Sequence, residues 1–327
     1  MHVGVNLNNR EALIAPGYDV PRLLALGERA EELGFDSLWV GDSLFSKPRY
    51  EPLALLAALS QRTSRVRLGT ACLVTTLRHP VQLAHAWATL DVLSGGRTVL
   101  GACAGNLVED AVKREFAVLG IDPKQRMRVF EEGLRIVRGL LAEGQIVFSG
   151  DHFDFGEVAF HTGTEPEPLL PVQTPPPILV VANPSIGAAA ERSSSRAARR
   201  VAELGEGWMT CCRATHPEEV ETFVEALSAD RSLDGFEVAY QVTMTLGDTA
   251  DEAAAAQRSY VDAYYPGFSD AVALADWGPT GTAEHVRAWV DRFAAAGVTT
   301  FICRFASLDQ PGQVERFARE VLPALRG

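Results

Sequence analysis

Two hydrophobic periods alternate along the chain. Short, nearly continuous apolar runs are followed by segments in which apolar residues recur every three or four positions. The stretch from Arg65 to Gly105 shows this most tightly. Arg65–Val74 is mostly apolar and β-branched, as expected of a strand buried on both faces. Pro80 can open a helix, because the N–H it lacks would be unpaired in the first turn anyway. Val81, Ala84, Trp87, Ala88 and Asp91 then form an apolar stripe that ends on a carboxylate. Ser94-Gly95-Gly96 breaks the helix and Arg97–Cys103 is a second apolar run. Two buried strands joined by one helix predict a right-handed unit with parallel strands.

The same unit recurs from end to end. Strands are expected at His2–Leu7, Phe35–Val40, Ile178–Ala182, Gly207–Cys212, Phe236–Leu246 and Val298–Phe305, besides the two above. Asp19, with Pro21 close behind, marks the start of the first long helix, and Gly34 its end. Helices are expected at Leu53–Arg62, Leu107–Leu119, Gln125–Ala142 and about Gly187–Leu204. Thr215 with Glu218, and Thr249 with Glu252, have capping-box spacing before two more. Helices around Val286–Phe293 and Pro311–Leu325 complete the series. One segment interrupts it. Gln145–Phe160 reads as a hairpin turning at Ser149-Gly150-Asp151. Pro166, Pro168, Pro171 and Pro175 to Pro177 then exclude helix or central strand. Residues 145–177 are thus expected to be an insertion, a lid or wall over the site.

Eight strands alternating with helices make a closed (β/α)8 TIM barrel of one domain, residues 1–327, with an insertion after strand four, the economical reading. A doubly wound open sheet competes. It is weakened because no GxGxxG follows the first strand; Gly101 and Gly105 are spaced GxxxG.

Composition narrows the function classes. Thirty Lys and Arg face 42 Asp and Glu, a net charge of −12, which argues against nucleic acid as a partner. No apolar run has the length of a membrane span and the N-terminus has no signal-peptide pattern. Five cysteines without a CxxC point to a reducing cytoplasm. All five (Cys72, Cys103, Cys211, Cys212 and Cys303) fall in expected strands, where small core hydrophobes is the plain reading.

In a barrel the chemistry gathers at the C-terminal ends of the strands. That places Asn6, Asp42, Ser43, Cys72, Thr75, Asn106, Asn183, Ser185, Trp208, Thr210, Met244 and Arg304 at the candidate site. The set is rich in Asn, Ser and Thr and poor in acids and bases. It holds no metal motif, no GxSxG and no P-loop. Such a pocket suits a cofactor that carries the chemistry itself. Asn183-Pro184-Ser185-Ile186-Gly187 precedes a helix, so the Ser185 hydroxyl and free N–H groups could hold a phosphate; an empty helix cap is the equal alternative. His79 is the histidine best placed for acid–base work, although its position before Pro80 fits a structural role better. Lys47 and Arg49 form a small positive patch suited to an anionic substrate group, or simply a solvated loop.

Several segments together, AEELGFDSLWVGDS, RLGTACLVTTLRHPVQLAHAWATLDVLSGGRTVLGACAG, RMRVFEEGLRIVRGLL, PVQTPPPILVVAN and ELGEGWMT, resemble the bacterial luciferase-like monooxygenase superfamily in sequence and order. The resemblance spans nearly the whole chain. It implies a (β/α)8 barrel, a homodimer, and a flavin at the C-terminal barrel face. Most such proteins use reduced FMN from a separate reductase, with oxygen; a sizeable branch uses the deazaflavin coenzyme F420 and moves a hydride instead.

Residue by residue, the resemblance puts Thr70, Ala71 and Cys72 under the flavin ring, often with a non-proline cis peptide. The family's phosphate loop after strand five usually begins Gly-Gly and here reads Ala182-Asn183-Pro184-Ser185. That departure from the pattern leaves Ser185 and the Gly187 N–H suited to a phosphate beside Asn183. Asn6 and Asn106, at strand ends, are the further candidate cofactor contacts. Gly207, Trp208 and Met209 match the strand that borders the flavin. Two departures bear on mechanism. Ser43 stands where many deazaflavin enzymes have histidine, and Asn106 where deazaflavin sugar dehydrogenases have glutamate. The acid–base pair of hydride transfer is missing, which favours FMN, with Asn106, Ser43 and His79 as the candidate catalytic side chains. The expectation is a cytoplasmic monooxygenase acting on a small organic molecule. The alternatives are an F420-dependent oxidoreductase and a flavin-binding protein without turnover. The substrate itself is not legible.

Overall fold

A computed structural model describes residues 1–15, 17–107, 110–161, 169–183, 188–211, 216–265 and 277–326. Eight parallel strands form a closed ring: β1 (His2–Leu7), β2 (Ser37–Val40), β3 (Arg67–Thr70), β4 (Thr98–Cys103), β5 (Ile178–Val181), β6 (Gly207–Cys211), β7 (Glu237–Leu246) and β8 (Thr300–Phe305). Each pairs in parallel with the next, and β8 pairs with β1 through His2 to Val5 opposite Thr300 to Cys303. The TIM barrel expected from the alternating periods is the fold, and closure excludes the open sheet.

Strand alternation divides the core into two layers. Val3, Val5 and Leu7 point outward with Leu38, Leu68 and Leu100 into the layer between strands and helices. Trp39, Val99, Leu179, Met209, Ala239 and Ile302 fill the barrel interior. Trp39 occupies much of it. A Cβ on Gly69 would overlap its ring and one on Gly4 would come within 2.6 Å of Nε1. Small residues on two neighbouring strands are what let one indole cross the interior; its Nε1 donates to Ser37 Oγ at 2.7 Å.

The local signals behave as their chemistry predicts. Asp19 accepts the Arg22 N–H at the first long helix, Val20–Glu32. Thr249 accepts the Glu252 N–H at 3.2 Å. Gly95 takes the left-handed conformation, φ 69°, that ends the helix Pro80–Ser94. Other expectations shift. The helix after β6 is capped by His216, with no side-chain cap bond, followed by Pro217; Thr215 lies outside the described residues. The expected strand Arg65–Val74 is split into Arg67–Thr70 and Leu73–Val74, and the Ala71–Cys72 peptide between them is cis. The cysteines are also not uniformly core. Cys303 is buried, whereas Cys72 and Cys103 are partly exposed.

The insertion contains an antiparallel hairpin, Gln145–Ser149 with Asp154–Ala159. Its return segment is tied to the barrel by one carboxylate. Asp91 is fully buried and accepts from the Thr98 hydroxyl at 2.6 Å, the Gln173 N–H at 2.9 Å and the Gln173 Nε2 at 2.8 Å. The carboxylate at the end of the helical stripe is therefore an anchor for the chain entering β5. No helix of the described residues is long and apolar enough to cross a membrane.

Candidate active site

A cavity of about 410 Å3 opens at the C-terminal ends of the strands. Gly41, Asp42 and Ser43 line it after β2, Ala71 and Cys72 after β3, and Cys103 and Asn106 at and beyond the end of β4. Val181 and Asn183 come from β5 and its end, Gln241 from β7, and Tyr265 from beyond the helix Ala250–Tyr264. The floor is apolar, with Ala71 packed on the interior layer that contains Met209. The rim carries hydroxyl, amide and thiol groups. Gly101 is required below the floor: a Cβ there would overlap the Thr70 carbonyl and approach Met209 Cε at 2.8 Å.

Among the described residues, both acids that line the cavity are committed. Asp42 accepts from Arg78 at 2.6 and 3.1 Å, one bond to each oxygen, and from the Val74 N–H at 2.9 Å. Burial tends to lower the Arg78 pKa, but Asp42 and Glu51 outweigh it and hold it above the usual guanidinium value. Glu115 is 2% exposed and accepts from the N–H groups of Phe45 and Ser46, each at 2.7 Å, and from the Ser43 hydroxyl at 3.1 Å. One carboxylate thus shapes the loop after β2 from a helix, Asp110–Val118, that follows β4. Nothing in the sequence pattern pointed to Glu115, because its partners lie about seventy residues away.

Ser43, Ala71, Cys72, Asn106 and Asn183 meet at the cavity. Asn6 is buried in β1, and Thr70 donates its hydroxyl to the Gly101 carbonyl at 2.9 Å beneath the floor. Met209 sits in the interior layer below. Three others stand elsewhere. Gly207 begins β6, at the end of the strand away from the mouth. Trp208 points outward, donates Nε1 to the Ala182 carbonyl at 2.7 Å and stacks on Phe223 at 4.2 Å between centroids. Strand alternation sends Trp208 and Met209 to opposite faces, so they cannot both border one ligand. His79 lies in a separate cleft outside the barrel, edge-on to Phe153 at 5.7 Å. The chain has already turned onto the outer helix there. Ser185 and Gly187 lie outside the described residues.

A second cluster adjoins the cavity. Arg304, at the end of β8, donates to the Tyr260 hydroxyl at 2.9 Å and to Tyr265 at 3.3 Å, and its guanidinium lies 4.6 Å over the Tyr264 ring. Glu11 is 1% exposed behind it, its carboxyl facing Arg304 and the Tyr260 hydroxyl. Burial pushes the Glu11 carboxyl up to about 7, against the opposing pull of Arg304, Tyr260 and Arg49.

The family model for luciferase-like monooxygenase matches residues 1–300. The chain belongs to this family. Among curated relatives, an F420-dependent glucose-6-phosphate dehydrogenase of Beutenbergia cavernae is 30% identical over 338 residues, 93% of each chain. One of the same description from Amycolatopsis mediterranei is 34% identical over 160 residues, 46% of each chain. The solved monooxygenase RslO1 from Streptomyces bottropensis superposes with a TM-score of 0.75 at 26% identity, covering 99% of this chain and all of its own. The relatives are named as oxidoreductases, dehydrogenases and monooxygenases among them, and the chain is an enzyme of that class.

Proposed function

We propose that this luciferase-like enzyme is a monooxygenase that takes reduced FMN and oxygen to a small organic substrate. The observation that carries the reading is the commitment of both cavity carboxylates. Asp42 is neutralised by Arg78, and Glu115 is occupied by two backbone N–H groups and the Ser43 hydroxyl. Neither is placed to accept a proton from an alcohol while a hydride leaves it.

The cavity suits a flavin. Its apolar floor matches a planar ring, and amide and hydroxyl groups of Asn106, Asn183, Gln241 and Ser43 rim it. Bound there, reduced FMN supplies the electrons that activate oxygen. The protein's part is to keep the site dry and to hold the substrate over the ring. Ala71 and Val181 give the floor its apolar lining, and Ser43, its proton directed to Glu115, presents an acceptor oxygen at the rim. A separate reductase would deliver the flavin, and a homodimer is the expected assembly.

A second reading, F420-dependent hydride transfer, is supported by the 30% identity to the Beutenbergia dehydrogenase over nearly both full lengths. Parallel titrations with reduced FMN under argon and with the deazaflavin separate the two. Tight binding of reduced FMN, followed by substrate-dependent oxygen uptake, supports the monooxygenase. Tight binding of the deazaflavin alone overturns it.

A further inference from the structure

The cavity has a cationic end formed around Arg49. The Arg49 side chain crosses directly over Gly41, where any Cβ would overlap its Nη1, and lines the cavity beside Lys47. Its Nη2 donates to the Tyr264 hydroxyl at 3.2 Å and its Nε to the Lys47 carbonyl at 3.3 Å. Both acceptors are neutral. Among the described residues no ion pair includes Arg49, whereas Arg78 is paired with both Asp42 and Glu51. In a protein of net charge −12, a cavity guanidinium held by neutral groups keeps its charge for something else.

Glu11 is a carboxylate that Arg49 faces at this end of the cavity. It is buried, and it is faced by Arg304 from β8, by Tyr260 and Tyr264 from the helix after β7, by Arg49 from the loop after β2, and by Tyr18 from beyond its own short helix. Arg10, beside it, lies 4.8 Å over the Tyr264 ring.

We infer that Arg49 receives an anionic group of the substrate, a carboxylate or a sulfate-like oxyanion, and that Glu11 is the buried counter-charge which takes up a proton when that anion binds. The inference deepens the proposed function and rests on this cavity being the substrate cavity. The barrel order separates this end from the segment that the sequence offers for a cofactor phosphate. Arg49 follows β2, whereas the segment suited to phosphate follows β5, three strands round the ring. An arriving anion uses the positive field of Arg49, and an ionised Glu11 then loses the partner that favoured its charge. Protonation relieves the repulsion. Because the Glu11 carboxyl titrates at about 7, anion affinity falls as pH rises through neutrality.

Sulfate and benzoate are suitable probes, since both stay ionised across this range. Calorimetric titration of the wild-type protein at about pH 6 and about pH 8 should show tighter binding at the lower pH, with proton uptake. Arg49→Met should weaken benzoate roughly tenfold or more, the scale of a lost charge-assisted contact. Glu11→Gln should bind benzoate more tightly than wild type at about pH 8 and lose the pH dependence; a misfolded variant does not gain affinity. The inference is overturned if wild type binds neither probe, if Arg49→Met binds as wild type does, or if saturating reduced FMN or deazaflavin displaces benzoate, which would assign Arg49 to the cofactor. If neither cofactor binds but benzoate still depends on Arg49, the anion site stands and the monooxygenase reading falls.

Discussion

Arg78 grips Asp42 through both carboxylate oxygens, at 2.6 and 3.1 Å, with the Asp42 side chain only 2% exposed. The pair joins the residue after β2 to the turn that opens the helix Pro80–Ser94, and so fixes two walls of the cavity together. Replacing Asp42 with Asn would leave the half-exposed Glu51 as the remaining carboxylate on the guanidinium. A cost of about 3 kcal/mol is expected from breaking a buried pair on one side. Urea denaturation of Asp42→Asn against wild type measures it, and an unchanged midpoint would show that the pair contributes nothing.

Asp91 should prove as important to the insertion as to the barrel. Its carboxylate accepts from both the backbone and the side chain of Gln173 and from Thr98. Asp91→Ala strips those donors of their acceptor inside the protein, at an expected cost of roughly 3 kcal/mol. Gln173→Ala keeps the backbone bond and should cost about 1 kcal/mol. Proteolysis of the segment 160–177 should quicken more in the first variant than in the second.

Glu115 controls the loop after β2. Glu115→Gln can still accept one hydrogen bond but loses the charge that draws the N–H groups of Phe45 and Ser46 and the Ser43 hydroxyl to a single oxygen. The variant is expected to fold, with the loop 43–47 cleaved faster by protease and substrate affinity reduced about tenfold. Equal cleavage rates would show that the loop is held by other contacts.

Stability should vary with pH through Glu11. Its folded-state value, about 7, lies above the ordinary 4.5 because burial penalises the charge. The stability linked to its proton is fully present below about pH 4.5 and is lost as pH rises through about 7, amounting to roughly 3 kcal/mol. Glu11→Gln should therefore match wild type at about pH 4 and exceed it at about pH 8. Denaturation midpoints at the two pH values decide the matter; a parallel pair of curves would mean that Glu11 is ionised throughout.

The TIM barrel was legible from sequence because strand and helix differ in hydrophobic period, and eight repeats of one unit leave few ways to bury so many two-faced strands. Ser43, Cys72, Asn106 and Asn183, read from the ends of the strands, line the cavity, since strand direction alone puts them at the mouth. Facing is a different matter. Whether Trp208 or Met209 looks inward depends on the register of the whole ring, and His79 is a few residues past a strand yet already outside the barrel. The most consequential contacts were invisible in the sequence. Asp42 with Arg78, Glu115 with the loop 43–46, and Arg49 with Tyr264 join residues that are remote along the chain. Periodicity records which face of an element is buried, and that the sequence determined by itself. Which charge meets which, and therefore which arginine remains available to a ligand, depends on distances of a few ångströms between elements, and only the closed barrel set those.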